Sequence, residues 1–192
     1  MRALLLLLAG CAFAVEKPYR VTFDVQLGSG QKGEFEVEVH PEWAPLGAAR
    51  FKEMIDDNFF GGVRFFRVIA GFMAQFGIHP KPDVAAKWRD KKLVDDPVIE
   101  KNLRGYISFA TSGKDSRTTQ MFINLVDNTN LDGMGFAPFA KVVGDGMATV
   151  DRIFPGYGEG APSGGGPEQG RIQSEGACAV CMWAWAWAWA WV

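Results

Sequence analysis

The sequence predicts a mainly β protein, folded as a closed antiparallel barrel of eight strands with two capping helices. Three observations lead to this fold class. The chain has 192 residues, of which 48% are hydrophobic and 22% charged, as expected for one globular domain. Its 23 glycines indicate many turns. Short runs of alternating polar and apolar residues recur along the chain, whereas helical spacing is confined to two short segments.

The first two predicted strands form a hairpin. Residues Tyr19–Leu27 and Glu34–His40 alternate between polar and apolar side chains, and the segment Gly28–Gly33 between them is rich in turn-forming residues. The apolar positions of the two runs are Val21, Phe23, Val25, Phe35, Val37 and Val39. Because alternate residues of a strand share a face, the pattern predicts an antiparallel pair with one buried face.

The next segment changes to helical spacing. A helix is predicted over Pro45–Asp57, where Pro45 occupies a first-turn position. Two strand-like runs follow at Val63–Ala70 and Gly71–Gly77. Residues Ile78–Lys101 are charged, contain prolines and show weak periodicity, so this segment is predicted to be mostly loop.

The second half of the chain supplies the remaining elements. Pro138 indicates an edge or a bulge in the strand that contains it, because proline has no N–H for the ladder. Residues Gly156–Gly170 are predicted to be a Gly/Pro-rich loop, after which Arg171–Ala177 is predicted to close the sheet. Further strands are predicted at Tyr106–Ala110, Gln120–Leu125 and Phe136–Val143, and a short second helix at Met147–Phe154.

The N-terminal residues 1–14 are typical of a secretory signal peptide. Arg2 precedes a leucine-rich run too short to span a bilayer, and Ala12-Phe13-Ala14 fits the cleavage pattern of small residues. We expect the mature domain to comprise residues 15–178, in the endoplasmic reticulum lumen or outside the cell. Alternatively, Leu8-Ala9-Gly10-Cys11 resembles a bacterial lipoprotein box, which would mean a periplasmic protein or lipidation at Cys11. A mis-assigned start codon is the third interpretation.

Residues 179–192 form a low-complexity tail in which Trp alternates with Ala, and we expect it to be unstructured. Tryptophan favours the membrane interface, so peripheral anchoring is one interpretation, and an extension or gene-model artefact is the favoured one. No apolar run is long enough for a spanning helix. Cys178 and Cys181 form a lone C-x-x-C without a second pair, which indicates a strained local disulfide or free thiols.

Charge and motifs exclude several classes of function. The net charge of −2 is inconsistent with a strongly basic nucleic-acid footprint, so no nucleic-acid partner is expected. Residues Asn128–Gly133 resemble the start of a calcium loop, but Phe139 occupies the position that needs a bidentate Glu. The segment Ser112-Gly113-Lys114 is followed by Asp115, where a phosphate loop needs Ser or Thr.

The two histidines, His40 and His79, lie far apart in the sequence. A lone His beside a proline is usually a surface or turn residue, and the sequence contains no H-E-x-x-H or G-x-S-x-G motif. We therefore predict neither a metal nor a cofactor.

Arg67 is unusual because it lies within the apolar run Phe65–Ile69. An arginine among apolar neighbours must be paired or exposed at a groove. One interpretation is an exterior strand residue. The other is a guanidinium directed at a carbonyl or amide above an apolar floor.

Four segments resemble the cyclophilin-type peptidyl-prolyl cis-trans isomerases: FFRVIAGFMAQFG, YISFATS, TTQMFINL and NLDGMGFAPFAKVV. The spacing Arg-x-x-x-x-Phe-Met-x-Gln, followed by Gln-x-Phe and then Leu-Asp-Gly, is specific to that family. The resemblance covers about Tyr19 to Ala177. It implies a cyclophilin-like barrel that rotates X–Pro bonds in client proteins and assists their folding without a cofactor.

The resemblance also implies roles for individual residues. Arg67 matches the family's catalytic arginine, and Gln75 is assigned to the catalytic group with it. Gln120 matches a second polar groove residue, and Ala110 with Thr111 matches the segment that pairs with substrate backbone. The walls of the proline pocket match Phe72, Met73, Phe122 and Leu131, and Phe136 also belongs to the substrate-binding set.

The sequence departs from the family at several positions. Asn130 stands where a groove Trp is usual, and Phe136 where a groove His is usual. Phe66 replaces a further His, and Thr111 replaces an Asn whose contact is made by backbone. Because the Trp position is associated with cyclosporin binding, the resemblance implies that this chain is not a good cyclosporin target. Its expected partners are proline-containing peptide segments, bound by a monomer.

Other functions are compatible with parts of the sequence. A cyclophilin-fold binding module or holdase without turnover would bind proline-containing peptides equally well after Arg67→Ala. A membrane-surface scaffold would depend on residues 182–192. An unrelated barrel that binds oligonucleotides is disfavoured by the negative net charge.

Overall fold

The folded part of the chain begins with the predicted hairpin. The computed structural model describes residues 17–27, 30–176 and 190–191. Strand β1, Tyr19–Gln26, pairs antiparallel with β2, Lys32–Val39, in a register that places Phe23 opposite Phe35. Phe23, Val25, Phe35, Val37 and Val39 are all buried, as their alternation with polar residues predicts.

Five further strands extend this hairpin into one antiparallel sheet. They are β3 (Arg67–Ile69), β4 (Met73–Phe76), β5 (Tyr106–Phe109), β6 (Met121–Asn124) and β7 (Pro138–Val143). The strand order is β3-β4-β6-β5-β7-β2-β1, and a two-residue strand β8, Ala190–Trp191, lies outside β1. The fold is therefore mainly β, with seven antiparallel strands curled into a half-barrel. A closed barrel of eight strands stays a prediction.

The curl of the sheet is visible in its aromatic core. Phe23 on β1 and Phe76 on β4 belong to strands near opposite ends of the strand order, yet their ring centroids lie 6.3 Å apart. Phe60 bridges them, with its ring 5.3 Å from Phe23 and 6.2 Å from Phe76. A flat sheet would hold these strands far apart, because neighbouring strands are spaced about 4.8 Å. The core therefore fills the concave side of the half-barrel.

The two predicted helices are present. Helix α1 spans Pro45–Asp56 with proline in its first turn. The carboxylate of Asp96 accepts hydrogen bonds from the backbone N–H groups of Leu46 at 2.9 Å and Gly47 at 2.8 Å. This contact supplies partners for the free N–H groups at the helix start. The second predicted helix is shorter than expected, because α3 comprises only Gly146–Val150.

The structure adds one helix to the prediction and corrects another element. Residues Ile78–Lys101 are mostly loop, as predicted, but they contain helix α2 at Pro82–Arg89. Residues Arg171–Ala177 were predicted to be a strand, but helix α4 spans Gln169–Glu175. Each helix buries few side chains, Ala85 and Trp88 in α2 and Ile172 in α4. The amphipathic pattern of α2 and α4 in the sequence is therefore weak. The two helices are stabilised by a small apolar cluster to which Ala85 of α2 and Ile172 of α4 both belong.

Strand β7 contains the proline that predicted an edge or a bulge. The strand lies between β5 and β2, so it is not an edge. Ile107 pairs with Ala140 whereas Ser108 pairs with Pro138, which places a register shift at the proline. The bulge interpretation is confirmed.

The predictions for the two ends of the chain fall mostly outside the described residues. This holds for the signal peptide, Cys11, the C-x-x-C pair and the tail apart from Ala190 and Trp191. Those two residues pair with Val25 and Asp24 of β1. Within the described part of the chain, no helix has the length and apolar character needed to cross a membrane.

Candidate active site

One groove of about 510 Å³ runs across β4, β6 and the segments beside them. Every residue that the sequence analysis assigned to the site lines it: Arg67, Phe72, Met73, Gln75, Ala110, Thr111, Gln120, Phe122, Leu131 and Phe136. The sequence analysis missed Arg89, Lys92, Ser112, Ser116, Thr118, Gln169 and Gln173. Three of these missed residues, Arg89, Gln169 and Gln173, lie on the helices α2 and α4 that were predicted as loop and strand.

An apolar pocket forms one part of the groove. Met73, Phe122 and Leu131 are buried and make a cluster separate from the main core. They come from β4, β6 and a 3₁₀-helix at Thr129–Met134. The ring of Phe136 meets that of Phe122 edge to face, with centroids 5.6 Å apart. Phe72, Ala110 and Ile69 pack against the same cluster, so this part of the groove is apolar.

A buried polar network holds the walls of this pocket from behind. Asn102, fully buried, donates from Nδ2 to Asp132 Oδ1 and to the carbonyl of Phe136, both at 2.8 Å. Asn128 donates from Nδ2 to the carbonyl of Phe72 at 2.9 Å. Asn124 links the two asparagines, donating to Asn102 Oδ1 at 3.3 Å and accepting from Asn128 at 2.8 Å. Because buried polar groups are costly to leave unpaired, this network fixes the backbone that carries Phe72 and Phe136.

Arg67 lies at the polar side of the groove and is held by two other residues. Its strand β3 pairs with β4 so that Arg67 stands opposite Gln75, which puts both side chains on one face. The guanidinium donates from Nη1 to Gln75 Oε1 at 3.0 Å. It also donates from Nε and Nη2 to the two carboxylate oxygens of Glu159, at 2.6 and 2.7 Å. Arg67 therefore lies at the groove, as the second interpretation of the sequence expects. Its guanidinium is also paired, with Glu159 and Gln75.

Gln75 extends this arrangement across the groove wall. Its Nε2 donates to Oε1 of Gln120 at 2.9 Å. Since Gln75 Oε1 accepts from Arg67, its amide orientation is fixed by both neighbours. Arg67, Gln75 and Gln120 thus form one hydrogen-bonded chain beside the apolar pocket.

Glu159 is the functional candidate that the sequence analysis did not find. It belongs to the Gly/Pro-rich segment predicted only as loop, and no motif distinguishes it there. The hydrogen bonds from Arg67 lower the pKa of Glu159 below its ordinary value and outweigh the opposing effect of burial. The carboxylate of Glu159 is therefore ionised at neutral pH.

Of the four departures from the family, two line the groove and two do not. Asn130 is exposed on the 3₁₀-helix, and Phe136 lines the groove. Thr111 lines the groove too, and its hydroxyl lies 2.8 Å from that of Ser116. Phe66 is buried in the small cluster with α2 and α4, away from the groove lining.

The two histidines lie outside the groove lining. His40 stacks on Trp43 with ring centroids 3.7 Å apart, and its Nδ1 lies 2.7 Å from Glu42 Oε1. His79 packs against Phe59, with ring centroids 5.2 Å apart, and its Nδ1 accepts a hydrogen bond from the N–H of Lys81. Neither histidine lines the groove, in agreement with a non-catalytic role. Both are buried, so the expectation that they lie on the surface is wrong.

Several known proteins are similar to this chain. It is 40% identical over 132 residues to peptidyl-prolyl cis-trans isomerase A of Dickeya dadantii, a match covering 63% of this chain and 66% of that protein. It is 34% identical over 130 residues to peptidyl-prolyl cis-trans isomerase B of Escherichia coli, covering 63% and 78%. The human peptidyl-prolyl cis-trans isomerase-like 3 is 31% identical over 127 residues, covering 63% and 76%. The chain thus spans slightly less than two thirds of the Dickeya protein's length.

The family model of the cyclophilin-type peptidyl-prolyl cis-trans isomerases matches residues 22–166. This range includes all seven strands of the half-barrel except the first residues of β1, and it includes both Arg67 and Glu159. The groove, its apolar pocket and its arginine all lie inside the matched range. The chain therefore belongs to the cyclophilin-type peptidyl-prolyl cis-trans isomerase family.

Proposed function

We propose that this chain catalyses cis-trans rotation of X–Pro bonds in protein substrates. The observation that carries the proposal is the position of Arg67, whose guanidinium lines the same groove as the apolar pocket of Met73, Phe122 and Leu131. A proline ring in that pocket would bring the prolyl nitrogen and its neighbouring carbonyl to the arginine.

Rotation of an X–Pro bond requires only a well-placed hydrogen-bond donor and a pocket that holds the proline ring. The barrier to rotation is about 20 kcal/mol, because the nitrogen lone pair is conjugated with the carbonyl. A donor that hydrogen-bonds the nitrogen or the carbonyl as the bond twists lowers this barrier, provided that it is already placed for the twisted state. Lowering it by about 7 kcal/mol would raise the rate by roughly five powers of ten.

Arg67 has hydrogen atoms left for this task. A guanidinium carries five N–H groups, and the bonds to Glu159 and Gln75 use three of them. One N–H on Nη1 and one on Nη2 therefore have no acceptor among the described residues. The side chain of Arg67 is 23% exposed, and a charged donor that is partly buried forms a stronger hydrogen bond than it would in bulk solvent.

The substrate backbone would lie along the segment of Ala110 and Thr111. The N–H of Ala110 already donates to the carbonyl of Gln120 at 2.9 Å. Pairing with substrate would thus use the carbonyl of Ala110 or the backbone of Thr111. Thr111 replaces an asparagine whose contact with substrate is made by backbone atoms. The substitution therefore leaves the pairing with substrate backbone possible.

We also infer that the half-barrel closes into the eight-stranded barrel expected from the sequence. The contact of Phe23 with Phe76 supports closure, because it brings β1 and β4 together across the core. The outer side of β3 meets Gly158 through a bridge at Val68, and β8 lies outside β1.

A secretory location completes the proposal. Its support is the sequence of residues 1–14, and the alternatives of a periplasmic protein or a lipoprotein anchored at Cys11 depend on the same segment. The chain would act there as a monomer on proline-containing segments of client proteins, with 15–178 as its catalytic domain.

The test is exchange NMR on an Ala-Pro-Phe-type peptide with the full chain. We expect the wild type to accelerate cis-trans exchange and Arg67→Ala to lose at least about 100-fold in rate. Arg20→Ala is the matched control, since Arg20 is exposed on β1 and pairs with Glu36 and Glu38. A wild type that binds the peptide without accelerating exchange would contradict the proposal and favour a non-catalytic binding module.

A further inference from the structure

We propose that Glu159 is a positioning residue, which holds the guanidinium of Arg67 in the orientation that rotation of the prolyl bond requires. This inference rests on the proposed isomerase function. It assigns a role in the reaction to a residue of the Gly/Pro-rich loop, 92 positions from Arg67 in the sequence.

The geometry of the ion pair carries the inference. Glu159 Oε1 and Oε2 accept from Nε and Nη2 of Arg67, which is the side-on bidentate arrangement of a carboxylate and a guanidinium. Two parallel hydrogen bonds fix the plane of the guanidinium as well as its distance. Gln75 then accepts from Nη1, so the side chain of Arg67 is held at both of its edges.

The loop around Glu159 is itself ordered by close contacts. Gly158 forms a bridge to Val68, the residue after Arg67 on β3, so the loop docks on the arginine's own strand. Oε1 of Glu159 accepts from the N–H of Gly160 at 2.9 Å, and the carbonyl of Glu159 accepts from the N–H of Gly166, also at 2.9 Å. The carboxylate is therefore held by its own loop as well as by Arg67.

Gly164 shows how closely this loop packs. A Cβ atom added there would lie 2.8 Å from Cβ of Glu159 and inside contact distance of its carbonyl oxygen. A Cβ atom added at Gly165 would meet nothing within 4 Å. The loop thus leaves no room for a side chain at Gly164, whose added Cβ would press on Glu159, and it leaves room at Gly165.

A carboxylate beside a catalytic cation has two opposing effects. It reduces the positive charge that substrate meets, and it removes the rotational freedom of a long side chain. Because the donors must be in place when the bond is twisted, we expect the second effect to dominate. The contact should then act on kcat more than on KM, since it serves the twisted state and makes no contact with the proline pocket.

The experiment compares Glu159→Gln with the wild type, measuring kcat and KM by exchange NMR across a range of peptide concentrations. Gln retains the shape but can accept only one of the two bonds. We expect kcat to fall about tenfold and KM to stay within about twofold. In ¹⁵N spectra, the Nε–H signal of Arg67 should move and exchange faster with water in the variant.

Gly164→Ala and Gly165→Ala form a second pair, which keeps the test decisive if Glu159→Gln does not fold. We expect Gly164→Ala to lower kcat and to shift the Nε–H signal of Arg67, and Gly165→Ala to leave both unchanged. The positioning role is overturned if Glu159→Gln retains the kcat of an active wild type, or if Gly164→Ala shifts the signal without lowering kcat. A wild type without isomerase activity overturns the proposed function, and the positioning role with it.

Discussion

Gln75 and Gln120 face each other across the groove wall, with Nε2 of the first donating to Oε1 of the second at 2.9 Å. Gln75 is buried, and its own Oε1 accepts from Arg67. The amide of Gln75 therefore cannot turn over without losing both bonds. Gln120 uses only its oxygen in this contact and lines the groove, so its Nε2 is a donor that substrate can meet.

Replacement of Gln75 by Leu is expected to lower kcat about tenfold, because Nη1 of Arg67 and Oε1 of Gln120 both lose their partner. The measurement is exchange NMR at saturating peptide. Gln31→Leu serves as the control, since Gln31 lies between β1 and β2 and pairs with Arg152. Equal loss in both variants would show that the effect is not specific to the groove.

Replacement of Phe136 by Ala is expected to raise KM about tenfold, equivalent to about 1.4 kcal/mol of lost apolar contact. The ring of Phe136 meets Phe122 at 5.6 Å and forms a wall of the pocket. The control is Met134→Ala, in the neighbouring 3₁₀-helix, where the side chain is 64% exposed. An unchanged KM for Phe136→Ala would remove this residue from the substrate-binding set.

Replacement of Asn102 by Ala is expected to reduce the free energy of unfolding by about 3 kcal/mol. The fully buried Asn102 donates to Asp132 and Phe136 and accepts from Ser108 and Asn124, so all four lose a partner. Urea unfolding followed by fluorescence measures the change. The exposed Asn130 offers a matched control, for which Asn→Ala should alter stability by less than about 0.5 kcal/mol.

Replacement of Gly77 by Ala is expected to cost at least about 2 kcal/mol of stability. Gly77 has φ +104, and an added Cβ would lie 2.9 Å from Cα of Gln120 and closer still to the carbonyl oxygen of Thr119. Gly133→Ala is the control, because an added Cβ there meets nothing within 4 Å. In thermal unfolding, Gly77→Ala should melt at a clearly lower temperature than Gly133→Ala. Similar melting temperatures would contradict the close approach of Gly77 to Thr119 and Gln120.

Stability should fall as the pH is lowered from about 7 through 6.5, because of His79. Burial lowers the pKa of His79 below the ordinary value of 6.5. The unfolded state therefore binds a proton at a higher pH than the folded state, and the stability present above pH 6.5 is lost toward the folded pKa. Protonation of Nδ1 would also remove the acceptor for the N–H of Lys81.

The variant His79→Asn tests this pH dependence. Asn can still accept from Lys81 through its side-chain oxygen but does not titrate. Unfolding free energies measured from pH 7.5 to 5 should decline less steeply in the variant than in the wild type. Parallel curves would show that other groups cause the decline.

The groove could be predicted because seven of its lining residues match a spacing that the sequence shares with the cyclophilin family. Arg67 and Gln75 are paired across two adjacent short strands, and Phe122 lies opposite Gln75 on β6. A pattern that sets the register of three neighbouring strands also sets which side chains share a face. The hairpin and helix α1 were also predictable, because apolar residues recur at every second position in the hairpin strands and at helical spacing in α1.

Features that depend on tertiary contacts were not predictable. Glu159 contacts Arg67 from a Gly/Pro-rich loop that carries no motif, and the bridge of Gly158 to Val68 has no local signal in the sequence. Helices α2 and α4 are short and bury few side chains, so their periodicity is weak. Such short segments become helices because they pack on each other, and sequence windows do not contain that information.

Arg67 and Glu159 are 92 positions apart, and the order of synthesis separates them in time. A ribosome delivers the arginine and every wall of the proline pocket before it delivers the loop of Gly158 and Glu159. A chain that ends before this loop would contain the residues of the proline pocket and Arg67 but would lack the ion pair with Glu159. On that basis, nascent or prematurely terminated chains that lack this loop would bind proline-containing peptides but rotate their X–Pro bonds more slowly than the full chain does.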